Sequence, residues 1–488
     1  MEKDIGLRIG LEIHQQLDTK KLFCSCPSLA KEKAKPDLII KRNLFAISGE
    51  LGDIDIAALY EQEKNKNHFY YFYNDCCCLV ELDEKPPEPI NQEALEIALQ
   101  ICMLLNAEIL SLTQVMRKIV IDGSDVSGFQ RTLLLARNGK LDYEFEGQKK
   151  TIRIDTICLE EEAAKKIKED GQNVYWSLDR YGIPLVEITT ESSIKSPEEA
   201  KVVALAIGEL LRACKVKRGL GTIRQDLNVS VRGGARTEIK GVQEPRLIPV
   251  VLKNEVEYQL EEIKKGKKLS ESVKKANEDG SLTFLRPLPT SARMYPETDL
   301  PLIKIEKSLL EKIRKSLPKT IQQLREEIGI ENVELAEGIV KKKERLEIWQ
   351  SLQHMLKDAE TKMLLANLLV NTARELSREL KQDEEEILER ARQVLPRLIN
   401  AVNKNKITKQ AAKEVFVVAI KEKTEEKAID GLIEKFKIMS RQELEEKILQ
   451  LSKSVDKKYL MQEAIKRFKL NADIKTIVEI VNKILAIG

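Results

Sequence analysis

The sequence predicts an α+β protein, in which a mixed body built around an antiparallel sheet precedes an all-α region. Three observations support this prediction. Up to about residue 300, short runs with strand periodicity alternate with turn signals and a few helical stretches. A proline-dense segment, "RPLPTSARMYPETDLPLI", occupies residues 286–303. From Lys304 onward prolines become rare, and apolar residues recur at the i, i+3, i+4 and i+7 spacing that is typical of helices.

The predicted elements of the body begin with the strand "LRIGLEIHQQL". Its alternation places Glu12 and His14 on one face, and Leu11 and Ile13 on the other. A helix is predicted at "NQEALEIALQICMLLN", and further strands at "TIRIDTICLE" and "IPLVEITT". In the C-terminal region, helices are predicted at "LLEKIRKSL", "AETKMLLANLLVNTARELSREL", "QAAKEVFVVAI" and "QELEEKILQL".

The segment "GTIRQDLNVSVRGGARTEIKGVQ" (221–243) predicts a β-hairpin, because apolar and polar residues alternate before a Gly-Gly turn signal. A three-residue loop at 233–235 would pair Val229 with Ile239 and keep the apolar faces together. The polar face would then carry Asp226, Asn228, Ser230, Glu238 and Lys240, with Ser230 opposite Glu238 and Asn228 opposite Lys240. The pattern alone fits either a solvated sheet face or the wall of a binding site.

Length and composition indicate a cytoplasmic globular protein of two or three domains. The chain has 488 residues, of which 42% are hydrophobic, and it has no apolar run of 18 residues that would predict a membrane span. The N-terminal "MEKDIGLRIGLEIH" carries charges where a secretory signal needs continuous apolar residues. The net charge is only +3, but residues 401–488 hold 19 Lys and Arg against 13 Asp and Glu. This basic surplus is compatible with contact to the phosphates of a nucleic acid.

Acidic side chains occur in four segments with strand-like character. These segments are "GLEIH" with Glu12 and His14, "CLEEEAA" with Glu160, Glu161 and Glu162, "IPLVEITT" with Glu187, and the hairpin with Asp226 and Glu238. A carboxylate between Val186 and Ile188 needs a compensating cation or hydrogen bonds. Each segment alone is explained by ordinary surface or a structural ion pair. Together in one cavity they would suit Mg²⁺, which prefers oxygen ligands and substrate phosphates.

Cysteines suggest a second kind of site. Cys24, Cys26, Cys76 and Cys78 could close a tetrahedral Zn²⁺ site, although their spacing is not a standard one and buried free thiols are the alternative. A catalytic cysteine is disfavoured, because the chain has only three histidines that could serve as its activating base, His14, His68 and His354. No Walker or Rossmann glycine loop accompanies a strand, so any ATP would bind through another kind of site.

Seven motifs, in order, resemble a known family. They are "IGLEIHQQLDTKKLFCSCP", "CLVELDEKPPEPIN", "VMRKIVIDGSDVSGFQRT", "TICLEEEAA", "LDRYGIPLVEITT", "VKRGLGTIRQDLNVSVRGGARTEIKGVQ" and "ARMYPETDLP". The sequence resembles the GatB/GatE family of tRNA-dependent amidotransferases. "SGFQRT" and "RGLGTIRQDLNVS" favour its archaeal branch, the glutamyl-tRNA(Gln) amidotransferase E subunits (GatE), over the GatB branch. The resemblance implies a catalytic cradle at 1–300, a helical linker at 301–345, and a helical C-terminal region with a YqeY-like tail at 346–488.

One departure from the family pattern is large. GatE proteins usually carry an insertion that resembles a domain of bacterial aspartyl-tRNA synthetase between the hairpin and "ARMYPETDLP". Here only "EPRLIPVVLKNEVEYQLEEIKKGKKLSESVKKANEDGSLTFLRPLPTS" fills that space. The tRNA contacts of that insertion therefore cannot be transferred to this sequence.

The resemblance implies ATP-dependent conversion of Glu-tRNA(Gln) to Gln-tRNA(Gln), in which ammonia attacks a γ-glutamyl phosphate. It assigns to a catalytic, Mg²⁺-bearing cavity the residues Glu12, His14, Glu160, Glu161, Glu187, Asp226 and Glu238, with Arg224, Lys240 and Arg293 as candidates for phosphate or carboxylate contact. Ammonia would come from an asparaginase-like glutaminase, GatD, in a heterotetramer of two D and two E subunits. The basic tail would hold tRNA.

Three other functions remain open from the sequence. A GatB-type role would also accept Asp-tRNA(Asn) and would require different partners. Carboxylate clusters with Mg²⁺ also serve metal-dependent phosphodiesterases that act on RNA. A non-catalytic tRNA-binding scaffold is the third alternative.

Overall fold

A computed structural model describes residues 5–31, 35–50, 52–290 and 293–487. The chain forms two compact units, Met1–Pro318 and Lys319–Gly488. The first unit mixes strands and helices and the second is helical, which confirms the predicted α+β class. The segment 301–345, which we expected to form a linker, is divided between the two units.

The first unit is built on one large, mostly antiparallel sheet of eleven described strands. In spatial order its strands are β15 (Leu282–Pro287), β14 (Ser272–Ala276), β13 (Thr237–Val242), β12 (Ile223–Ser230), β1 (Arg8–Gln16), β11 (Pro184–Thr190), β8 (Gln148–Glu161), β7 (Phe129–Phe145), β6 (Met116–Ile119) and β16 (Met294–Pro296), and β4 (Glu108–Ile109) pairs with β7. Only the β13–β14 pair among these described strands is parallel. The first strand in the chain, β1, lies near the centre of the sheet.

Helices cover one face of this sheet and leave the other face polar. They are α2 (Gln92–Leu104), α3 (Pro197–Leu211), α4 (Ile248–Lys264) and α5 (Lys307–Lys315). Ile9, Leu11 and Ile13 of β1 are fully buried in the core under these helices, because alternate residues of a strand point to the same side. Glu12 and His14 therefore point to the opposite side, as the alternation predicted.

The β12–β13 hairpin has a different register from the predicted one. Asn228 pairs with Glu238 and Val229 with Thr237, a shift of two residues that keeps each side chain on its expected face. The turn is wider than three residues, since the ladder closes at Val229 and Thr237. A β-bulge lies opposite Asp226, where β13 has one extra residue beside Gly241. The φ of Gly241 is +83°. The predicted hairpin is confirmed, and its predicted register is wrong.

A smaller sheet lies in the same unit and contains β2 (Leu38–Arg42), β3 (Asn67–Phe72), β10 (Asn173–Ser177) and β9 (Lys165–Asp170) in spatial order. Its core is largely aromatic and includes Tyr70, Phe72, Trp176 and Tyr181. The remaining elements of the unit are helix α1 (Ile56–Glu63), a turn of 3-10 helix (Pro245–Leu247), and the strand pair β5 (Leu112–Thr113) and β17 (Ile303–Lys304).

The second unit consists of helices. They are α6 (Ile321–Ile328), α7 (Val333–Val340), α8 (Lys343–Leu352), α9 (Ala359–Asn367), α10 (Ala373–Leu380), α11 (Glu384–Asn403), α12 (Lys409–Lys421), α13 (Ile429–Lys435), α14 (Arg441–Ser452), α15 (Leu460–Phe468) and α16 (Ile474–Ile487). A π-helical turn (Leu368–Thr372) joins α9 to α10, and 3-10 turns occur at Gln353–Met355 and Glu426–Ala428. Thr408 and Ser440 cap α12 and α14 by accepting backbone N–H groups, as the sequence pattern favours.

Two apolar cores stabilise the second unit. One is shared by α6 to α13, and the other joins α14, α15 and α16. The helical periodicity seen in the sequence arises from these cores, because each helix buries one stripe of its surface. None of the helices in the described ranges combines the length and the hydropathy needed to cross a membrane.

Candidate functional site

A cavity of about 580 Å³ lies over the polar face of the large sheet in the first unit. Strands β1, β8, β11, β12 and β13 supply its floor, and residues from 118–125 and 286–294 complete its wall. Nine of the sequence-predicted residues line it: Glu12, His14, Glu160, Glu187, Arg224, Asp226, Glu238, Lys240 and Arg293. Asp226, Glu238 and Lys240 of the hairpin's polar row therefore line this cavity, whereas Asn228 and Ser230 of the same row do not.

His14 lies at the centre of an acidic group. Its Nε2 is 3.3 Å from Glu12 Oε1 and 3.3 Å from Glu187 Oε2, and 3.8 Å from Glu160 Oε1. The register explains this proximity, because β1 lies between β11 and β12 and His14 pairs directly with Glu187. Burial opposes a charge on His14, but its hydrogen bonds to Glu12 and Glu187 outweigh this effect and raise its pKa well above the usual value.

The carboxylates around His14 differ in their electrostatic surroundings. Burial would raise the pKa of Glu12, but His14, Lys240 and Lys118 hold it well below its usual value. Glu160 is more deeply buried, and this burial raises its pKa although Lys118 Nζ lies 2.9 Å from its Oε2. A divalent cation would supply the positive charge that the proton on His14 provides in its absence.

A second acidic group shares Glu12 with the first. Ligand atoms of Glu12, Asp226 and Glu238 lie within 4.8 Å of one another, and the same holds for Glu12, His14 and Glu187. Lys240 lies among the hairpin carboxylates, with Nζ 2.8 Å from Asp226 Oδ2 and 2.6 Å from Glu238 Oε1. Burial disfavours the Lys240 charge, but these two carboxylates raise its pKa above the usual value. Both groups offer the oxygen-rich donor set that Mg²⁺ prefers.

Glu161 does not line this cavity, contrary to the sequence-based assignment. It shares the helix-covered face of β8 with Leu159, and its Oε2 lies 3.4 Å from Arg131 Nη1. Arg131 Nε in turn donates to Glu297 Oε2 at 2.9 Å, so these charges form a buried structural pairing. Alternation along the strand is the physical reason, because only Glu160 and Glu162 can point to the cavity side.

Glu162 is a cavity residue that the sequence assignment left out. Arg224 Nη1 and Nη2 donate to its two oxygens at 2.7 and 2.8 Å, and Gln16 Nε2 donates at 2.9 Å. Burial raises the pKa of Glu162, but Arg224 and Arg180 lower it to about 2. Arg224, which we expected to contact the substrate, therefore already forms a bidentate pair within the protein.

The cavity lining also includes cationic side chains. Arg236, Arg286 and Arg293 line it, and no carboxylate lies within ion-pair distance of them in the described ranges. Arg286 belongs to β15, and Arg293 follows this strand. The proline-dense segment 286–303 therefore contributes two arginines to the cavity lining. Arg236 and Arg286 were missed from the sequence, since isolated arginines beside turns carry no specific signal. Guanidinium groups without carboxylate partners suit phosphate oxygens.

A thiol-rich group lies outside the cavity lining. Ligand atoms of Cys24, Cys26, Cys78 and Glu81 lie within 4.8 Å of one another. Cys76, which we expected in this group, instead has its Sγ 4.0 Å from that of Cys77. Burial raises the pKa of Cys78 to about 12, and Cys24 Sγ donates to Glu81 Oε1 at 3.0 Å. Lys21 Nζ also lies 3.0 Å from Glu81. Cys24 and Glu81 are buried, whereas Cys26 and Cys78 are partly exposed.

Comparisons with known proteins show the family of the chain. A family model described as the GatB/GatE catalytic domain matches residues 7–311. A Methanocaldococcus jannaschii protein, named as the E subunit of glutamyl-tRNA(Gln) amidotransferase, is 35% identical, with 84% of this chain and 86% of the relative aligned. A Saccharolobus islandicus protein of the same name is 33% identical over 91% of this chain and 90% of its own. The same-named Thermococcus gammatolerans protein is 52% identical over 54% of this chain and 41% of its own.

The alignment to the Methanocaldococcus jannaschii protein runs over 552 positions, which exceeds the 488 residues of this chain. That relative therefore has residues with no counterpart here, in agreement with the short segment between the hairpin and "ARMYPETDLP". The family model covers well over half of the chain and includes all of the residues that line the cavity. The chain thus belongs to the GatB/GatE family, and within it resembles the archaeal glutamyl-tRNA(Gln) amidotransferase E subunits.

Proposed function

We propose that this chain converts Glu-tRNA(Gln) to Gln-tRNA(Gln) in an ATP-dependent reaction that takes place in the cavity. The observation that carries the proposal is the composition of the cavity lining, which combines two acidic groups with three arginines that have no carboxylate within ion-pair distance among the described residues. A nucleotide with a divalent cation needs both kinds of side chain at once, since the metal binds carboxylates and the phosphates bind guanidinium groups. The names of the relatives supply the substrate.

The acidic residues would hold Mg²⁺. Glu12, His14 and Glu187 fit one cation, and Glu12, Asp226 and Glu238 fit a second position, because each set brings its ligand atoms within 4.8 Å of one another. When bound, Mg²⁺ would neutralise negative charge on the nucleotide phosphates. Glu160 lies beside His14, and Lys118 partly balances its charge.

The remaining cavity residues would bind and orient the two substrates. A carboxylate is a poor electrophile, and transfer of the ATP γ-phosphoryl group to the glutamate side chain converts one oxygen into a leaving group. Arg236, Arg286 and Arg293 would hold phosphate oxygens, and Lys240 would stabilise charge near the hairpin. The nitrogen lone pair of ammonia then attacks the carbonyl carbon of the γ-glutamyl phosphate, the C–O bond breaks, and phosphate leaves with the bonding electron pair and takes up the proton that the nitrogen loses.

Ammonia would come from a partner protein. In the described ranges, no hydrogen bond joins a cysteine or serine to a histidine, as a glutaminase nucleophile with its base would require. We expect this partner to be the asparaginase-like glutaminase GatD, in a heterotetramer of two D and two E subunits. The helical unit would bind tRNA through its basic tail. All of these steps would take place in the cytoplasm.

Incubation of the protein with Glu-tRNA(Gln), ATP, Mg²⁺ and ammonium tests the proposal. Formation of Gln-tRNA(Gln) with release of phosphate is the expected result. Cleaved RNA would instead indicate a phosphodiesterase, and unchanged tRNA with unchanged ATP would indicate a binding scaffold. A parallel reaction with Asp-tRNA(Asn) separates the two family branches, because product from that substrate would favour a GatB-type role.

A further inference from the structure

The loop between β6 and β7 forms part of the cavity wall and is held in one conformation. Asp122 Oδ1 accepts hydrogen bonds from Ser124 N at 2.9 Å and from Ser124 Oγ at 2.6 Å. Gly123 has a φ of +95°, and a Cβ atom there would lie 2.0 Å from His68 Nδ1. Tyr70 of the small sheet donates its hydroxyl hydrogen to Gly123 O at 2.9 Å. The aromatic core of the small sheet therefore fixes the position of this loop.

Asp125 lies within this loop, and one of its carboxyl oxygens has no hydrogen-bond partner among the described residues. Its residue is 1% exposed, and it lines the cavity beside Lys118 and Asp122. Its Oδ2 accepts a hydrogen bond from Ser124 Oγ at 3.3 Å, whereas Oδ1 is buried and has no hydrogen-bond partner in the described part of the chain. A buried polar atom without a partner is costly, so its retention beside a cavity indicates a partner that arrives with a ligand.

The surroundings of Asp125 favour its neutral form. The titratable and charged groups that interact with it are Lys118, Asp122, Glu161, Arg180, Tyr70 and Tyr181. The two cations among them bond elsewhere, because Lys118 pairs with Glu160 and Arg180 donates to the Ala163 and Ala164 carbonyls. Burial, together with the charges of Asp122 and Glu161, raises the pKa of Asp125 well above its usual value.

We propose that Asp125 is a further substrate-binding residue, which as a neutral carboxylic acid donates a hydrogen bond to an anionic oxygen of the ligand. This inference rests on the proposed function. The anionic oxygen belongs either to a nucleotide phosphate or to the glutamyl carboxylate, since both are acceptors without a proton. An ionised Asp125 would repel either group, and Asp125 lies outside the two sets of side chains whose ligand atoms could hold a cation.

Two substitutions separate a hydrogen-bond donor from a carboxylate. Asp125→Asn keeps the shape and supplies an N–H donor, so we expect ligand affinity within about threefold of the wild type. Asp125→Ala removes the donor, and we expect about ten- to a hundredfold weaker binding, the range for a hydrogen bond to a charged group. Asp155→Asn is the matched control, because Asp155 lies on β8 of the same sheet, is exposed and does not line the cavity.

Binding is measured by calorimetry with two probes, a non-hydrolysable ATP analogue with Mg²⁺, and Glu-tRNA(Gln) without nucleotide. Weakening of the first alone by Asp125→Ala identifies the phosphate as acceptor, and weakening of the second alone identifies the carboxylate. The inference would be overturned if Asp125→Asn bound the probes as weakly as Asp125→Ala. It would also be overturned if Asp125→Ala bound both probes with the affinity of the wild type. Wild-type protein that binds neither probe would refute the proposed function itself, and the inference with it.

Infrared spectroscopy gives a readout that does not depend on affinity. The difference spectrum between wild type and Asp125→Asn should contain the C=O stretch of a protonated carboxylic acid, and that band should shift when the ATP analogue or Glu-tRNA(Gln) binds. A carboxylate band in its place would show that Asp125 is ionised and would contradict the proposal. Thermal unfolding of all three variants checks that each one is folded.

Discussion

Replacement of Asp226 by Asn tests whether the hairpin carboxylates hold a metal. Asp226 is 7% exposed, with Oδ2 2.8 Å from Lys240 Nζ and Oδ1 accepting from Gly241 N at 3.1 Å. The Asn side chain keeps the shape and the acceptor for Gly241 but loses the charge. Lys240 retains Glu238 at 2.6 Å, so we expect a stability loss of about 1.5 kcal/mol, the lower end for a hydrogen bond to a charged group.

The expected effect on the reaction is larger than the effect on stability. In the proposed site, Asp226 shares a cation position with Glu12 and Glu238. Removal of one of these negative charges should weaken the binding of the metal ion that the phosphates require. A lost electrostatic contribution of this kind typically lowers the rate about 10²-fold, or about 3 kcal/mol. Single-turnover formation of the glutamyl phosphate at saturating tRNA and varied Mg²⁺ measures it. We expect a slow rate, partly restored by excess Mg²⁺, with tRNA binding unchanged.

Glu255→Gln is the matched control for this substitution. Glu255 is 1% exposed, its Oε2 lies 2.7 Å from Lys274 Nζ, and it does not line the cavity that contains Asp226. We expect this variant to lose at least as much stability as Asp226→Asn while its single-turnover rate stays normal. A normal rate in Asp226→Asn would refute the reasoning. Equal rate losses in the two variants would refute it as well, because the rate would then follow stability and not the metal.

Four further predictions concern other parts of the protein. With free ammonium the single chain should form Gln-tRNA(Gln), whereas glutamine should serve as donor only after addition of the glutaminase partner; efficient use of glutamine by the chain alone would contradict this. Removal of Lys319–Gly488 should weaken tRNA binding and make the tRNA affinity less dependent on salt concentration, because phosphate contacts are lost. Unchanged affinity would argue against a role of the basic tail in tRNA binding. Because the pKa of His14 is raised, its proton stabilises the metal-free protein at low pH and is lost as pH rises through that pKa. Mg²⁺ displaces this proton, so its affinity should increase as pH rises. Calorimetry in buffers of different ionisation enthalpy should detect the released proton, and His14→Gln should abolish the release. The thiol-rich group should hold one zinc ion per chain by elemental analysis, and Cys26→Ser should lose it, whereas metal-free wild-type protein would favour buried free thiols.

The fold class and most of its elements could be predicted from periodicity, because each strand or helix buries one face. Alternation in "LRIGLEIHQQL" assigned Glu12 and His14 to one side correctly. The hairpin register could not be predicted this way, since a shift of two residues leaves every side chain on the same face. The extra residue near Gly241 and the wide turn arise from backbone conformation, for which the sequence offers only isolated glycines.

The residue types of the candidate site could be predicted from the sequence, but the contacts between their side chains could not. The phase of β8 was available from the apolar residues Ile157 and Leu159, which place Glu161 on the covered face. We assigned Glu161 to the cavity by resemblance and missed this signal. The pairing of Arg224 with Glu162, by contrast, joins residues 62 apart in the chain and depends on tertiary structure. The same holds for Glu81, which replaces Cys76 in the thiol-rich group.

The central position of β1 has a consequence for how the protein forms during synthesis. β1 is the first strand to leave the ribosome, but its neighbours β11 and β12 are made more than 160 residues later. Until then its two edges are unpaired and Ile9, Leu11 and Ile13 lack their core, which makes the nascent chain prone to aggregation. Such long-range pairing also slows folding. Since Glu12 and His14 are brought to Glu187 and Asp226 only by this pairing, the first acidic group cannot form before β11 is made, and the second cannot form before the hairpin is made.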